Sequence, residues 1–208
     1  MTKREVMNVF NKISKEYKKL RKKNQQIGRI AKWKKYSLVL DEGCGPGTNL
    51  ASIVENTKFY VALDISLNMV IEAKEEAKSR KWKVDLLVAD AAFLPFRNEV
   101  FDFLAAVAIF HHLPKNEAER AIEEAKRVLR SSGVVFFTFW NIKFVKEDKI
   151  LERDGDLFYV AWKMSNQKIL KRPYFSYTLE ELDKIIRERF SFYDILVSQN
   201  LVCVGMKY

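Results

Sequence analysis

From residue 37 onward the chain alternates short apolar runs with longer stretches whose apolar residues recur every three or four positions, a pattern of strands joined by helices. Ser37 to Asp41 reads as a first strand, Phe59 to Leu63 as a second, Val84 to Val88 as a third and Phe101 to Ala108 as a fourth. Thr48 to Asn56 is the helix after the first. Ser66 caps the helix after the second, which runs to about Arg80, because a serine hydroxyl accepts from the N–H groups a helix start leaves unpaired. Pro114 opens a charged helix to Arg130, Gly133 terminates the connection, and the β-branched and aromatic run Val134 to Trp140 is a fifth strand.

The flanks extend this unit. Thr2 and Glu5 have capping-box spacing, and Val6, Phe10, Ile13, Tyr17 and Leu20 share a helical face, so residues 1–36 read as a helical extension packed on the domain. Asp154-Gly155-Asp156 signals a turn, and Leu157 to Trp162 is a strand or an aromatic wall, which leaves 141–175 as a substrate-side insertion. Thr178 and Glu181 form a second capping box opening a helix to Phe190. Phe192 to Val197, the turn Ser198-Gln199-Asn200 and Leu201 to Met206 make a closing hairpin. The sum is a single α/β domain: a Rossmann-like, seven-stranded, mostly parallel sheet with helices on both faces, an antiparallel C-terminal strand and an N-terminal helical extension.

Composition narrows the partners. No apolar run reaches the ~18 residues of a membrane span, and the N-terminus lacks the apolar core of a leader, so a cytoplasmic protein without a membrane partner is expected. Cys44 and Cys203 make neither a disulfide framework nor a zinc-binding pair, so no metal is expected. A net charge of +10 favours polyanions through counterion release, which admits nucleic acid as a substrate. Lys18, Lys19, Arg21, Lys22, Lys23, Arg29, Lys32, Lys34 and Lys35 concentrate that charge, although solvated helix faces alone would hold some of them.

Gly43, Gly45 and Gly47 follow the first strand and precede a helix, where absent side chains allow a tight turn and close approach of a ligand. A dinucleotide loop or a purely structural turn would look similar. Asp41 within this motif, Asp64 ending the second strand and Asp90-Ala91 after the third sharpen the reading, because carboxylates at successive strand ends converge on the crevice where open α/β sheets bind ligands. Asp64 suits a ribose diol and Asp90 an adenine amino group, with a helix N-cap as the plain alternative for Asp90. Pro46-Gly47 departs from the GxGxxG of a dinucleotide fold, so S-adenosylmethionine is the favoured cofactor. Its expected contacts are Asp41, Gly43, Cys44, Gly45 and Gly47 in the loop, Asp64, Ile65, Ser66 and Met69 after the second strand, and Asp90, Ala91 and Ala108.

The segments VLDEGCGPGTNL, VALDIS, VADAAFLPFRNEVFDFLAAVAIFHHL and AKRVLRSSGVVFFTFW resemble the motifs of class I methyltransferases. They are more narrowly similar to the tRNA wobble-uridine carboxymethyl methyltransferase family, as are Ile13 to Arg21 and Asp156 to Trp162. The Pro-Trp that follows the arginine in that family is replaced by Lys22, Lys23 and Asn24, and Phe175 stands where it usually has histidine. The resemblance implies tRNA as substrate and a small zinc-binding activator subunit, expected at the edge strand Val84 to Val88. It places Tyr17 and Arg21 on the family's aromatic and arginine.

If the acceptor is a carboxylate, it is already a nucleophile and needs orientation rather than a base. Arg21, His111 and His112 are the candidates for that work, with Tyr17, Trp140 and Trp162 on the substrate side. Each has a plainer alternative: a surface cation for Arg21, a cap on the helix near Pro114 for one histidine, core packing for about half the rings. A small-molecule methyltransferase of the quinone or lipid-precursor type and a non-catalytic cofactor-binding subunit are the competing functions.

Overall fold

Strands β1 (Tyr36–Glu42), β2 (Thr57–Asp64), β3 (Asp85–Val88), β4 (Phe101–Val107) and β5 (Leu129–Trp140) pair in parallel, and a C-terminal hairpin of β9 (Ser191–Val197) and β10 (Asn200–Met206) joins them through antiparallel pairing of β10 with β5. The resulting order is β3-β2-β1-β4-β5-β10-β9. This computed structural model describes residues 3–20, 25–33 and 35–208. Thr2 and the capping box expected there, together with Arg21, Lys22, Lys23 and Lys34, lie outside the described residues.

The central strands are buried on both faces, which is why they read as unbroken apolar runs. Alternate residues feed two apolar layers. Leu40, Leu104, Ala106 and Phe137 pack beneath α5 (Lys115–Val128) and α6 (Leu179–Arg187), whereas Val39, Phe103, Ala105 and Phe136 pack with Ile27 of α2 (Gln25–Ile30), Leu50 and Ile53 of α3 (Leu50–Ile53), and Ala73 of α4 (Leu67–Arg80). The caps at Ser66 and Thr178 form as expected, with Ser66 accepting from Met69 N–H and Thr178 and Glu181 closing a full capping box.

Several boundaries differ. The helix expected over Thr48 to Asn56 is the short α3 followed by a 3₁₀ turn at Val54–Asn56, and β3 begins at Asp85. α5 stops at Val128 because Leu129 already pairs with Phe101. Gly133 therefore terminates no helix. It lies in the irregularity of β5, where the register jumps from Phe101↔Leu129 to Phe103↔Val134 and a Cβ at Gly133 would stand 2.6 Å from Leu129 Cγ.

Residues 141–175 hold a separate antiparallel sheet, β6 (Ile150–Asp154), β7 (Leu157–Lys163) and β8 (Ile169–Phe175), with Gly155 at φ 57° in the β6–β7 turn. The segment left open between strand and aromatic wall is thus strand β7. Pro173 is tolerated in β8 because that strand is an edge with no ladder donor required on its outer side. Helix α1 (Lys3–Leu20) ties the two sheets together. Its Asn11 Oδ1 accepts from the Ser66 hydroxyl at 2.7 Å, and its Glu16 accepts from the Ser165 hydroxyl at 2.6 Å. Among the described residues no helix is long and apolar enough to cross a membrane.

Candidate functional site

The carboxyl ends of β1, β2, β3, β4 and β5 open on a cavity of about 540 Å³, roofed by Val6, Phe10 and Tyr17 of α1. Its floor begins at the glycine loop. Gly43 has φ +67° and a Cβ there would stand 2.0 Å from Ile109 Cγ2, so the loop can lie against the β4 end only without a side chain. At Gly45 a Cβ would meet nothing within 4 Å, which leaves an open cradle on the cavity wall.

The Gly45 N–H donates to Asp64 Oδ2 at 2.9 Å, and the Ser66 N–H donates to Asp64 Oδ1 at 2.8 Å. Each carboxylate oxygen is thereby fixed by one backbone donor and retains a further acceptor position, a suitable match for two vicinal hydroxyls. Burial pushes Asp64 up to about 6, against the pull of those two N–H donors. Asp90 lines the same wall. Its Oδ1 accepts from Ala92 N–H at 2.9 Å, so it caps a turn and not a helix, and its Oδ2 pairs with Lys3 Nζ of α1 at 2.6 Å. Lys3 also reaches Glu117 at 3.4 Å.

Of the expected cofactor contacts, Gly43, Cys44, Gly45, Asp64, Ile65, Met69, Asp90, Ala91 and Ala108 lie on the wall, and Asp41, Gly47 and Ser66 do not. Asp41 is fully buried; its Oδ2 accepts from the Tyr60 hydroxyl at 2.9 Å, and burial pushes it up to about 7, offset by Tyr60 and reinforced by the charge of Asp64. Gly47 packs against Ala73 of α4. Ser66 caps α4 and holds Asn11, positioning the roof. Sequence reasoning missed the neighbouring Glu42, whose carboxylate is fully buried and has no hydrogen-bond partner among the described residues; burial, then Glu124, Asp90 and Asp41, holds it well above the usual carboxylate range.

Across β1 from the acids, the wall changes character. Ala108 sits at φ 61°, an unusual conformation for a side-chain-bearing residue, and its N–H reaches Thr138 O at 3.1 Å and Thr138 Oγ1 at 2.9 Å. The strained turn leads into a 3₁₀ segment, Phe110–His112, that buries both histidines. His112 lines the cavity; its Nδ1 donates to the Pro173 carbonyl at 2.7 Å, because a carbonyl can only accept. His111 stands behind the wall, and its Nδ1 accepts from the Trp140 N–H at 3.2 Å. The two rings, 4.4 Å apart, therefore take opposite tautomers when neutral. Neither caps α5, which starts after Pro114 without a side-chain cap.

Tyr17 and Trp140 line the cavity and Trp162 does not, although its ring lies 5.4 Å from that of Tyr17. Trp140 stacks on Tyr174 at 4.8 Å, and Tyr174 on His111 at 5.1 Å. Arg21 lies outside the described residues. Sequence reasoning did not place Val6, Phe10, Gln26, Thr48, Asn49, Thr138 or the Gln199-Asn200 turn at the site. The apolar stripe of α1 was the available signal for Val6 and Phe10, but a stripe shows which face is covered and not what it covers.

Residues 39–133 match the family model described as a methyltransferase domain. The chain is 34% identical over 123 residues to a tRNA (carboxymethyluridine(34)-5-O)-methyltransferase of Arabidopsis thaliana, a match covering 54% of this chain and 28% of the relative. It is 36% identical over 143 residues to an uncharacterized protein of Methanocaldococcus jannaschii, covering 66% of this chain and 52% of that one. The chain thus spans about half or less of the length of these relatives. Among solved structures, a Pyrococcus horikoshii protein superimposes with TM-score 0.74 at 20% identity, covering 88% of this chain and 87% of its own. A Clostridium acetobutylicum S-adenosylmethionine-dependent methyltransferase superimposes with TM-score 0.73 at 15% identity, covering 96% and 99%. At these identities the structural likeness concerns the fold alone.

Proposed function

We propose that this chain, which carries a methyltransferase domain of the S-adenosylmethionine-dependent class, methylates the carboxylate of a 5-carboxymethyl uridine at the wobble position of tRNA. The observation that carries this reading is one cavity shared by two kinds of wall: anchored carboxylates at the ends of β2 and β3, and Tyr17, His112 and Trp140 on the β4–β5 side. The open cradle at Gly45 and the two acceptor positions left on Asp64 fit the cofactor, with Met69, Asp90 and Ala108 completing its surroundings. When bound, S-adenosylmethionine supplies an electrophilic methyl group.

The chain's own task is orientation. A carboxylate needs no proton removed, so no residue has to act as a base. With Nδ1 committed to the Pro173 carbonyl, the His112 ring is held in one orientation on the cavity wall. Tyr17 and Trp140 present ring faces on which a splayed base can stack. Arg21 is the sequence-based candidate for a cationic contact. Strand β3 stands at the sheet edge, where a small zinc-binding partner subunit could add a strand.

The test is nucleoside mass spectrometry of tRNA incubated with the chain and labelled cofactor, with and without such a partner. A labelled methyl ester of 5-carboxymethyl uridine is expected, with tRNA binding that weakens steeply as salt rises. Label in no tRNA nucleoside under either condition overturns the tRNA reading. Salt-indifferent methylation of an uncharged small molecule would replace it with the small-molecule alternative.

A further inference from the structure

Arg172 of β8 is only 5% exposed, yet among the described residues no carboxylate pairs with it and its Nε has no acceptor. Its neighbour Lys171 is exposed and paired with Glu152 at 2.7 Å, so the strand's alternation turns one cation out to a partner and the other inward without one. Three rings surround the inward cation, with Trp162 at 4.7 Å, Tyr174 at 5.3 Å and Trp140 at 5.9 Å from the guanidinium carbon.

Aromatic faces attract a guanidinium but give its in-plane N–H donors nothing to bond. The rings offset part of the desolvation penalty of a cation buried this way, and an acceptor arriving from outside would offset the part that falls on its unbonded N–H donors. Arg172 does not itself line the cavity; Trp140 connects the two, because the same indole lines the cavity and lies 5.9 Å from the guanidinium carbon. We infer that Arg172 receives the carboxylate of the methyl acceptor and selects acids over their uncharged analogues. The inference rests on the acceptor proposed above.

A planar fork matches a carboxylate bidentately, holding it in one orientation while leaving a lone pair for reaction. As that lone pair forms the O–CH3 bond, the S–CH3 bond breaks, its electrons return to sulfur, and no proton moves. The product ester is neutral, so its hold on Arg172 weakens as the reaction completes. Arg172 is in this account a substrate-orienting residue that discriminates substrate from product.

The experiment titrates the nucleosides 5-carboxymethyluridine and 5-carbamoylmethyluridine into the full chain by calorimetry with S-adenosylhomocysteine present. It compares wild type, Arg172→Met and Arg172→Lys, and records each melting temperature. Wild type should prefer the acid about tenfold or more; Arg172→Met should lose the preference with an unchanged or higher melting temperature, and Arg172→Lys should recover part of it. With an anticodon stem-loop as acceptor, Arg172→Met should lower kcat/KM about 100-fold.

Equal or undetectable binding of the two nucleosides by wild type overturns the inference. So does an acid preference that survives Arg172→Met, or an equal loss of both nucleosides with a lower melting temperature, which marks a purely structural cation. Unimpaired stem-loop methylation by Arg172→Met overturns it while leaving the proposed function intact. An Arg172-dependent acid preference in a wild type that methylates no tRNA supports it and removes the tRNA reading instead.

Discussion

On the β2–β3 side of β1 the cavity wall is made of carboxylates fixed by backbone N–H groups, as Asp64 is by Ser66 two residues on and by Gly45 in the loop that ends the neighbouring strand. On the β4–β5 side it is made of rings drawn from distant parts of the chain, Tyr17 from α1, His112 after β4 and Trp140 at the end of β5, with Trp162 and Arg172 of the small sheet behind the wall. The first arrangement follows from where a parallel sheet ends its strands. The second depends on how an insertion and an N-terminal helix pack onto that sheet. One fixed half and one assembled half is what a site needs if it keeps a common cofactor while its acceptor is set separately.

That division can be tested from its strongest consequence downward. Asp64→Ala should weaken S-adenosylmethionine about 100-fold or more by calorimetry, since it removes both hydroxyl acceptors at once. A change below about threefold would break the assignment of that half. Trp140→Ala should lower kcat/KM for tRNA about 30-fold through lost base stacking, with cofactor affinity within about threefold of wild type. Equal losses in both would show that the halves are not separable.

The acids give the division a pH dependence. Asp41 and Asp64 are raised to about 7 and about 6 from an ordinary 3.8, so their protonated forms are favoured in the folded chain. Their contribution to stability is fully present below about 3.8 and is lost as pH rises through about 6 to 7. Melting of the cofactor-free chain should therefore fall between pH 5 and about 7 and level above it, and Asp41→Asn should flatten the upper part of that profile. Cofactor binding should tighten as pH rises through about 6, because ribose hydroxyls donate to the ionised Asp64.

The smallest expected effect concerns the roof. Lys3 joins α1 to Asp90 and Glu117 through partly exposed ion pairs, so Lys3→Ala should lower the melting temperature by only about 2–4 °C. A much larger drop would mean that α1 holds the fold together as well as covering the cavity.

Much of the β1–β5 unit was legible in the residues. Apolar runs such as Val39-Leu40 and Phe103 to Ala106 are buried on both faces, and the caps at Ser66 and Thr178 are chemistry confined to four residues. Gly133 misled because a glycine after a charged helix reads as its terminator, whereas here the strand begins first and the glycine absorbs a register jump against β4. The 141–175 segment stayed open because a three-stranded sheet packed under α1 leaves no periodicity that separates a strand from an aromatic wall. His111 and His112 could not be ranked from their spacing either; what separates them is which ring meets Pro173 and which meets Trp140.

The sequence by itself determined the parallel sheet, the glycine turn and the strand-end acids, because each is fixed by local geometry: strand period, absent side chains, and the place where a strand stops. Only the tertiary structure decided that Asp41 lies beneath the wall and Asp64 on it, that α1 forms a roof anchored at Asp90, and that Arg172 is buried among rings with no carboxylate partner among the described residues. Those outcomes depend on burial and on partners more than 60 positions apart in several cases, such as His112 and Pro173 at a separation of 61, and no local pattern encodes them.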